Sequence, residues 1–206
     1  MFENRDKAGV LLGEYLMGKE TQNTIVVGIP RGGITVGLRI ARMLNVPFDM
    51  VFVKKIVSSL NPEFALGAAG EGGEVYWDEE SVKDMSDWDK KEALKESLLL
   101  LHKRKKLIRS IYPEVKIEGK DVILVDDGIA TGATVLCALL VMQGKGAKSV
   151  SLASPVIAND TYKSLRKDFD SIYALSIPTF FNSVGQVYKN FSQIEDEEII
   201  KLLKNN

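Results

Sequence analysis

The chain has 206 residues, 45% of them hydrophobic and 27% charged, and its 27 basic and 28 acidic side chains leave a formal net charge of −1. That length suggests one domain, on a prior of roughly 150 residues per domain, with room for a small added lobe. Near-neutral charge gives no electrostatic case for nucleic acid or anionic lipid, no apolar stretch approaches the roughly 20 residues of a membrane-spanning helix, and the opening MFENRDKAG lacks a leader's apolar core, so a cytoplasmic location is expected.

In chain order, Thr24 to Ile29 and Phe48 to Val53 predict strands, with a helix from Ile34 to Leu44 between them that stops near Asn45 and Pro47. Together they form a βαβ unit. Lys54 and Lys55 follow the second strand, and the stretch 56–77 is rich in small residues and turn formers, which makes it a candidate flexible loop. Ala65 to Ala69 within it reads equally as a strand. From Glu79 to Tyr112 the pattern is helical, with Ser86 and Asp89 spaced as a capping box and Leu94, Leu98, Leu101 and Ile108 on one apolar stripe. His102 and the basic run Lys103 to Lys106 sit near that helix's end, where cations complement the dipole, and read as a solvated face rather than a catalytic base or a nucleic-acid contact.

Val122 to Val125 is a continuous apolar run, as expected of a strand buried on both faces of a parallel sheet, and a helix follows to about Gln143. Cys137, the only cysteine, falls inside that helix and reads as a small core residue. Ser149 to Ser154 and Ser171 to Ile177 supply further strands. The alternation predicts an α/β fold in which a central, mostly parallel sheet is flanked by helices.

Two strand ends carry the candidate chemistry, and in open α/β sheets ligands bind in the crevice beyond the strands' carboxyl ends. VILVDDGIATGAT (122–134) places Asp126 and Asp127 at such an end, before a turn of Gly128, Ala130, Thr131, Gly132, Ala133 and Thr134. Its small residues let a ligand approach the backbone, and a helix starting at Thr131 or Gly132 would present unpaired amides to an anion. A phosphate fits those amides. The two acids beside them would repel a bare phosphate, so the ligand must also bring hydroxyls or a bound cation. The string is neither G-x-x-x-x-G-K-[ST] nor G-x-G-x-x-G. Pro30, Arg31, Gly32 and Gly33 follow the first strand, where Arg31 could grip phosphate oxygens with its planar fork.

The VDDGIATGAT string resembles the signature of the type I phosphoribosyltransferases, which bind 5-phosphoribosyl-1-pyrophosphate (PRPP). By position, the resemblance implies that Asp126 and Asp127 hold the ribose hydroxyls and that the turn Ala130 to Thr134 holds the 5-phosphate. PRGG would be the pyrophosphate loop, with unusual peptide geometry, and Lys54 or Lys55 would meet the leaving pyrophosphate, strand alternation sending the two to opposite faces. It implies one domain over 1–206, with 56–77 closing over the reaction and 177–206 forming a small hood. In the segment from Ile177, the order of IP, Phe, VG and Tyr is similar to purine-type hoods. There Phe180 or Phe181 would stack on a base and Val184 would touch its edge; a C-terminal tail packed on the sheet is the alternative. Lys189 stands where hypoxanthine/guanine enzymes carry an Asp, and no lysine closes the Ser151 to Val156 strand, so the acceptor is open.

The whole chain is similar to phosphoribosyltransferases of unassigned acceptor. The implied reaction moves the phosphoribosyl group of PRPP to a nitrogen nucleophile, with magnesium held mainly by PRPP, no dedicated metal ligands in the protein, and a homodimer as the assembly. A PRPP-binding sensor without turnover is the alternative.

Overall fold

The computed structural model describes residues 1–58 and 65–204. Its centre is a five-stranded parallel sheet in the order β2–β1–β6–β7–β8, formed by Phe48–Met50, Thr24–Gly28, Asp121–Val125, Ser149–Val156 and Ile172–Ser176. The two middle strands run side by side in register, Ile25 opposite Val122 and Gly28 opposite Val125, so both end at the same level.

Alternation divides their side chains between two apolar layers. Val26, Ile123 and Val125 join Leu12 and Leu16 of α1 (Arg5–Leu16) and Ile34, Leu38 and Ile40 of α2 (Gly32–Leu44). Ile25, Val27, Val122 and Leu124 pack with Val135, Ala138 and Met142 of the other face's helix, α5 (Ala133–Gly144). Cys137 is buried in α5, and burial pushes its thiol up to about 12, so it is an inert core residue. Both faces being covered explains the continuous apolar runs of the central strands.

The second βαβ strand differs from expectation. Strand β2 ends at Met50, and β3 (Val53–Val57) leaves the main sheet to pair antiparallel with β4 (Ala65–Gly70), which in turn pairs with β5 (Val75–Trp77). Lys54 and Lys55 are thus inside a strand and not beyond its end. Of the stretch 56–77 expected as a flexible loop, residues 65–70 and 75–77 are strands of this small sheet, and residues 59–64 lie outside the described residues.

The helix expected from Glu79 to Tyr112 is two: α3 (Glu79–Val82), capped by Asp78, and α4 (Asp87–Arg109), whose N-cap Ser86 accepts from the Asp89 amide at 3.2 Å. Helix α4 spans both sheets, with Leu94 and Leu98 on the small one and Leu101 and Ile108 in the main core. The remaining elements are α6 (Asn159–Leu165), a 3-10 turn over Val184–Val187, and α7 (Asp196–Lys204), which buries Ile199 and Leu203 in the main core. Of the segment 177–206, expected as a hood, residues 196–204 are thus a helix packed on the main core. No helix among the described residues is long and apolar enough to cross a membrane.

Candidate active site

The carboxyl ends of β1 and β6 open into one cleft of about 440 Å³. Asp126 and Asp127 stand there because Val125 is the last residue of β6 and the chain turns at once. Beyond them, Gly128, Ile129, Ala130, Thr131, Gly132 and Thr134 form the rim, and Ile29 to Gly32 form the facing wall. Lys54 and Lys55 of β3 reach the cleft from the small sheet.

Residue size dictates how these walls fit. Gly132 has φ 87° and is the N-cap of α5, so glycine is required where the chain enters that helix. The first amides of α5 then have no acceptor within the helix and stand at its positive end. Glycine is required at Gly32 for a different reason: a Cβ there would lie 1.8 Å from Oδ2 of Asp127. The Pro30–Arg31 peptide is cis. Gly32 and Gly33, expected in a loop, form the first turn of α2, with Arg31 as its N-cap residue.

The two acids are not equivalent. Burial, and after it the charge of Asp127, push the Asp126 carboxyl well above the usual carboxylate range, while the Asp127 amide that it accepts (2.9 Å) and the charge of Lys55 partly offset this. Asp127 is held from outside its own strand. Nε of Arg5 donates to its Oδ2 at 2.5 Å, and the hydroxyl of Tyr188 donates to its backbone carbonyl at 2.6 Å. Burial and the nearby Asp127 charge push the Tyr188 phenol up, which keeps the proton that makes this bond.

The cleft gathers Arg31, Gly32, Lys54, Lys55, Asp126, Asp127, Gly128, Ala130, Thr131, Gly132, Thr134 and Val184, but not every expected residue. Gly33 is packed against Val125 and Asp126, where a Cβ would come within 2.5 Å of the Val125 carbonyl, and Ala133 is buried in the first turn of α5. Phe180 is 92% exposed, and neither it nor Phe181 lines the cleft, because the chain after β8 makes a turn outside it in which the Asn182 amide donates to the Gln186 side chain (3.2 Å). Phe191 stands at the cleft instead, stacked 5.1 Å from Tyr188. Lys189 pairs with Glu3 at 3.0 Å, in an exposed contact outside the cleft.

Four residues at or behind the cleft were assigned no role in the site from sequence: Arg5, Arg104, Tyr188 and Phe191. Arg104 belonged to the basic run assigned to solvent; it lines the cleft and pairs with Asp196 at 3.1 Å. Arg31 likewise pairs with Glu195, at 3.0 Å. His102, as expected, is exposed on α4.

The sequence profile of the phosphoribosyl transferase domain matches residues 5–190. The chain belongs to that family. Phosphoribosyl transferases are enzymes of the pentosyl-transferring type, and the α/β architecture with its parallel five-stranded sheet is the type I fold of the family. Proteins of two Mycobacterium tuberculosis strains, named by inference as phosphoribosyl transferases, are 33% identical over 207 residues; the match covers 98% of this chain and 46% of theirs, so the chain spans about half of their length. The crystal structure of TT1426 from Thermus thermophilus is 36% identical and superposes with a TM-score of 0.84 over 99% of this phosphoribosyl transferase chain and 98% of that one. A shorter stretch is similar to the uracil phosphoribosyltransferase of Clostridioides difficile, 32% identical over 82 residues, 39% of each chain.

Proposed function

We propose that the chain transfers the phosphoribosyl group of PRPP to a nitrogen of a small, nucleobase-like acceptor, with release of pyrophosphate. The observation that carries this reading is the meeting in one cleft of two strand-end acids, a small-residue helix entry, and the basic residues Arg31, Lys54 and Lys55. Each suits one part of the donor. Ala130 to Thr134 and the positive end of α5 receive the 5-phosphate. Asp126 and Asp127 accept from the ribose hydroxyls and hold negative charge beside the anomeric carbon as it becomes cationic. Arg31 and the two lysines take the charge that grows on the departing pyrophosphate. Val184 and Phe191 offer an apolar wall for the acceptor.

The donor set also suits magnesium. No group of three or more His, Cys, Asp or Glu side chains is placed to cage a metal among the described residues, whereas the cleft offers two carboxylates. Such a set suits a hard cation that keeps several waters and arrives on substrate phosphates. Magnesium bound in this way supplies charge neutralisation on the pyrophosphate. The resemblance further carries a homodimer in the cytoplasm, which sedimentation at working concentration checks for the assembly.

Incubation with magnesium, PRPP and a panel of nitrogenous bases that includes uracil should release pyrophosphate with at least one of them. Binding of PRPP at micromolar concentration without release for any base identifies a PRPP sensor instead. Asp126→Asn combined with Asp127→Asn should abolish PRPP binding in calorimetry while the chain still unfolds cooperatively; unchanged affinity overturns the assignment of the site.

A further inference from the structure

Asp127 is held by residues to which the sequence assigned no role in the site, and their arrangement is too specific for simple charge neutralisation. Arg5, the first residue of α1, spends its fork on two partners: Nε donates to Oδ2 of Asp127 at 2.5 Å, and Nη1 donates to the Ser192 carbonyl at 2.8 Å. Its guanidinium carbon lies 3.8 Å from the centroid of Phe191. Phe191 stacks on Tyr188, and Tyr188 packs on Phe2 with ring centroids 5.6 Å apart. The result is a column, Phe2–Tyr188–Phe191–Arg5, that touches Asp127 twice, at its carbonyl through the Tyr188 hydroxyl and at its carboxylate through Arg5.

Backbone pairing makes the column rigid. The Phe2 amide donates to the Val187 carbonyl at 2.7 Å, the Lys189 amide to the Phe2 carbonyl at 2.9 Å, and the Asn190 amide to the Glu3 carbonyl at 3.0 Å. Gly32 lies against the same carboxylate, where a Cβ would come within 1.8 Å of Oδ2 and 2.9 Å of Nε of Arg5, so the pair is seated on a glycine. Arg5 is absent from the lining of the cleft itself and faces an adjoining hollow shared with Arg31, Gly32 and Phe191, its own side chain only 11% exposed.

We infer that Arg5 is a positioning residue for the ribose end of the donor: it fixes the rotamer of Asp127, with the Tyr188–Phe191 stack as its backing, and does not itself touch the ligand. The inference rests on the reading of the cleft as a PRPP site. Its consequence is selective. Ligands that carry the ribose hydroxyls depend on Arg5, and pyrophosphate, met by Arg31 and the lysines, does not. A planar fork with a stacked face is also a role that lysine fills only in part.

Calorimetric affinities for PRPP, ribose 5-phosphate and pyrophosphate, each with magnesium, test this on the whole chain. Arg5→Ala should weaken PRPP and ribose 5-phosphate by about tenfold or more and leave pyrophosphate within about twofold. Arg5→Lys should recover part of the loss. In an Asp127→Asn background, Arg5→Ala should cost nothing further, since residues acting through one another are not additive. Equal weakening of all three ligands, or losses that add in the double variant, overturn the positioning role. If Arg5→Ala does not fold, Arg5→Lys carries the same comparison, because it keeps the charge and loses the arm to Ser192. A wild-type chain that binds none of the three ligands overturns the PRPP reading and this inference with it; a wild-type chain that binds them, beside an Arg5→Ala chain that binds equally well, overturns the positioning role alone.

Discussion

Two arginine–carboxylate pairs of this chain share their chemistry and differ in what surrounds them. On β2, the edge strand of the main sheet, Arg109 grips Asp49 with both arms, at 2.5 and 3.3 Å, and also donates to the Met50 carbonyl, while the Val115 amide gives Asp49 another bond. Asp49 is 1% exposed and its carboxyl is raised: burial outweighs Arg109, so the pair is retained at a desolvation cost. At the cleft, Arg5 gives Asp127 a single hydrogen bond, and the acid is 14% exposed. A carboxylate offers about four lone-pair sites, so the first acid has most of its acceptor capacity used by the fold, and the second keeps some for a ligand. Saturation separates a structural ion pair from one placed at a site.

The largest effect that sharpens this contrast is on stability. Arg109→Ala leaves Asp49 buried without its partner and should cost about 3–5 kcal/mol in denaturant unfolding, with unchanged PRPP affinity for the molecules that remain folded. A loss of affinity as well would break the contrast. Next, Gly32→Ala drives a methyl group into the Asp127 carboxylate and should weaken PRPP by about a hundredfold, equivalent to about 2.7 kcal/mol, measured by calorimetry.

Asp126→Asn tests the site from the opposite direction. Because the folded chain holds the Asp126 proton to a higher pH than the unfolded chain does, stability falls as pH rises from the usual carboxylate range through the raised value, and the penalty is complete above it. Asparagine should therefore raise the melting temperature most at the alkaline end of a pH series followed by thermal unfolding, and the gain should vanish as pH falls into the usual carboxylate range. Glu195→Gln frees Arg31 from an exposed pair and should tighten PRPP by about two- to threefold. Phe180→Ala, at a solvent-exposed turn, should change stability by less than about 0.5 kcal/mol and leave affinity alone.

The parts of the molecule legible in the sequence are those built locally. The apolar run Val122 to Val125 and the small-residue turn after it specify a buried strand and a helix entry within a dozen residues, and both lie as expected. What was not legible depends on partners distant along the chain. Phe48 to Val53 reads as one strand, yet it breaks after Met50: β1 pairs with Phe48–Met50, and Val53 opens β3, which pairs with β4. Periodicity holds no record of which neighbour a strand chooses. The helix break before Ser86 is marked by the capping box itself, yet the helical pattern on both sides of it reads as one element from Glu79 to Tyr112. Arg5, Tyr188 and Phe191 form no local pattern with Asp127, so only the closed fold brings them together. Phe180 was expected at the acceptor through the resemblance to purine-type hoods, and the structure places it in an exposed turn after β8.

The pairing of residues 2–5 with residues 187–192 has a consequence for synthesis. In chain order, one half of the column around Asp127 precedes every strand of the main sheet and the other half follows all five, so synthesis completes the sheet before it completes the column. A nascent or truncated chain that stops before residue 187 can thus assemble the sheet and still leave Asp127 without its brace.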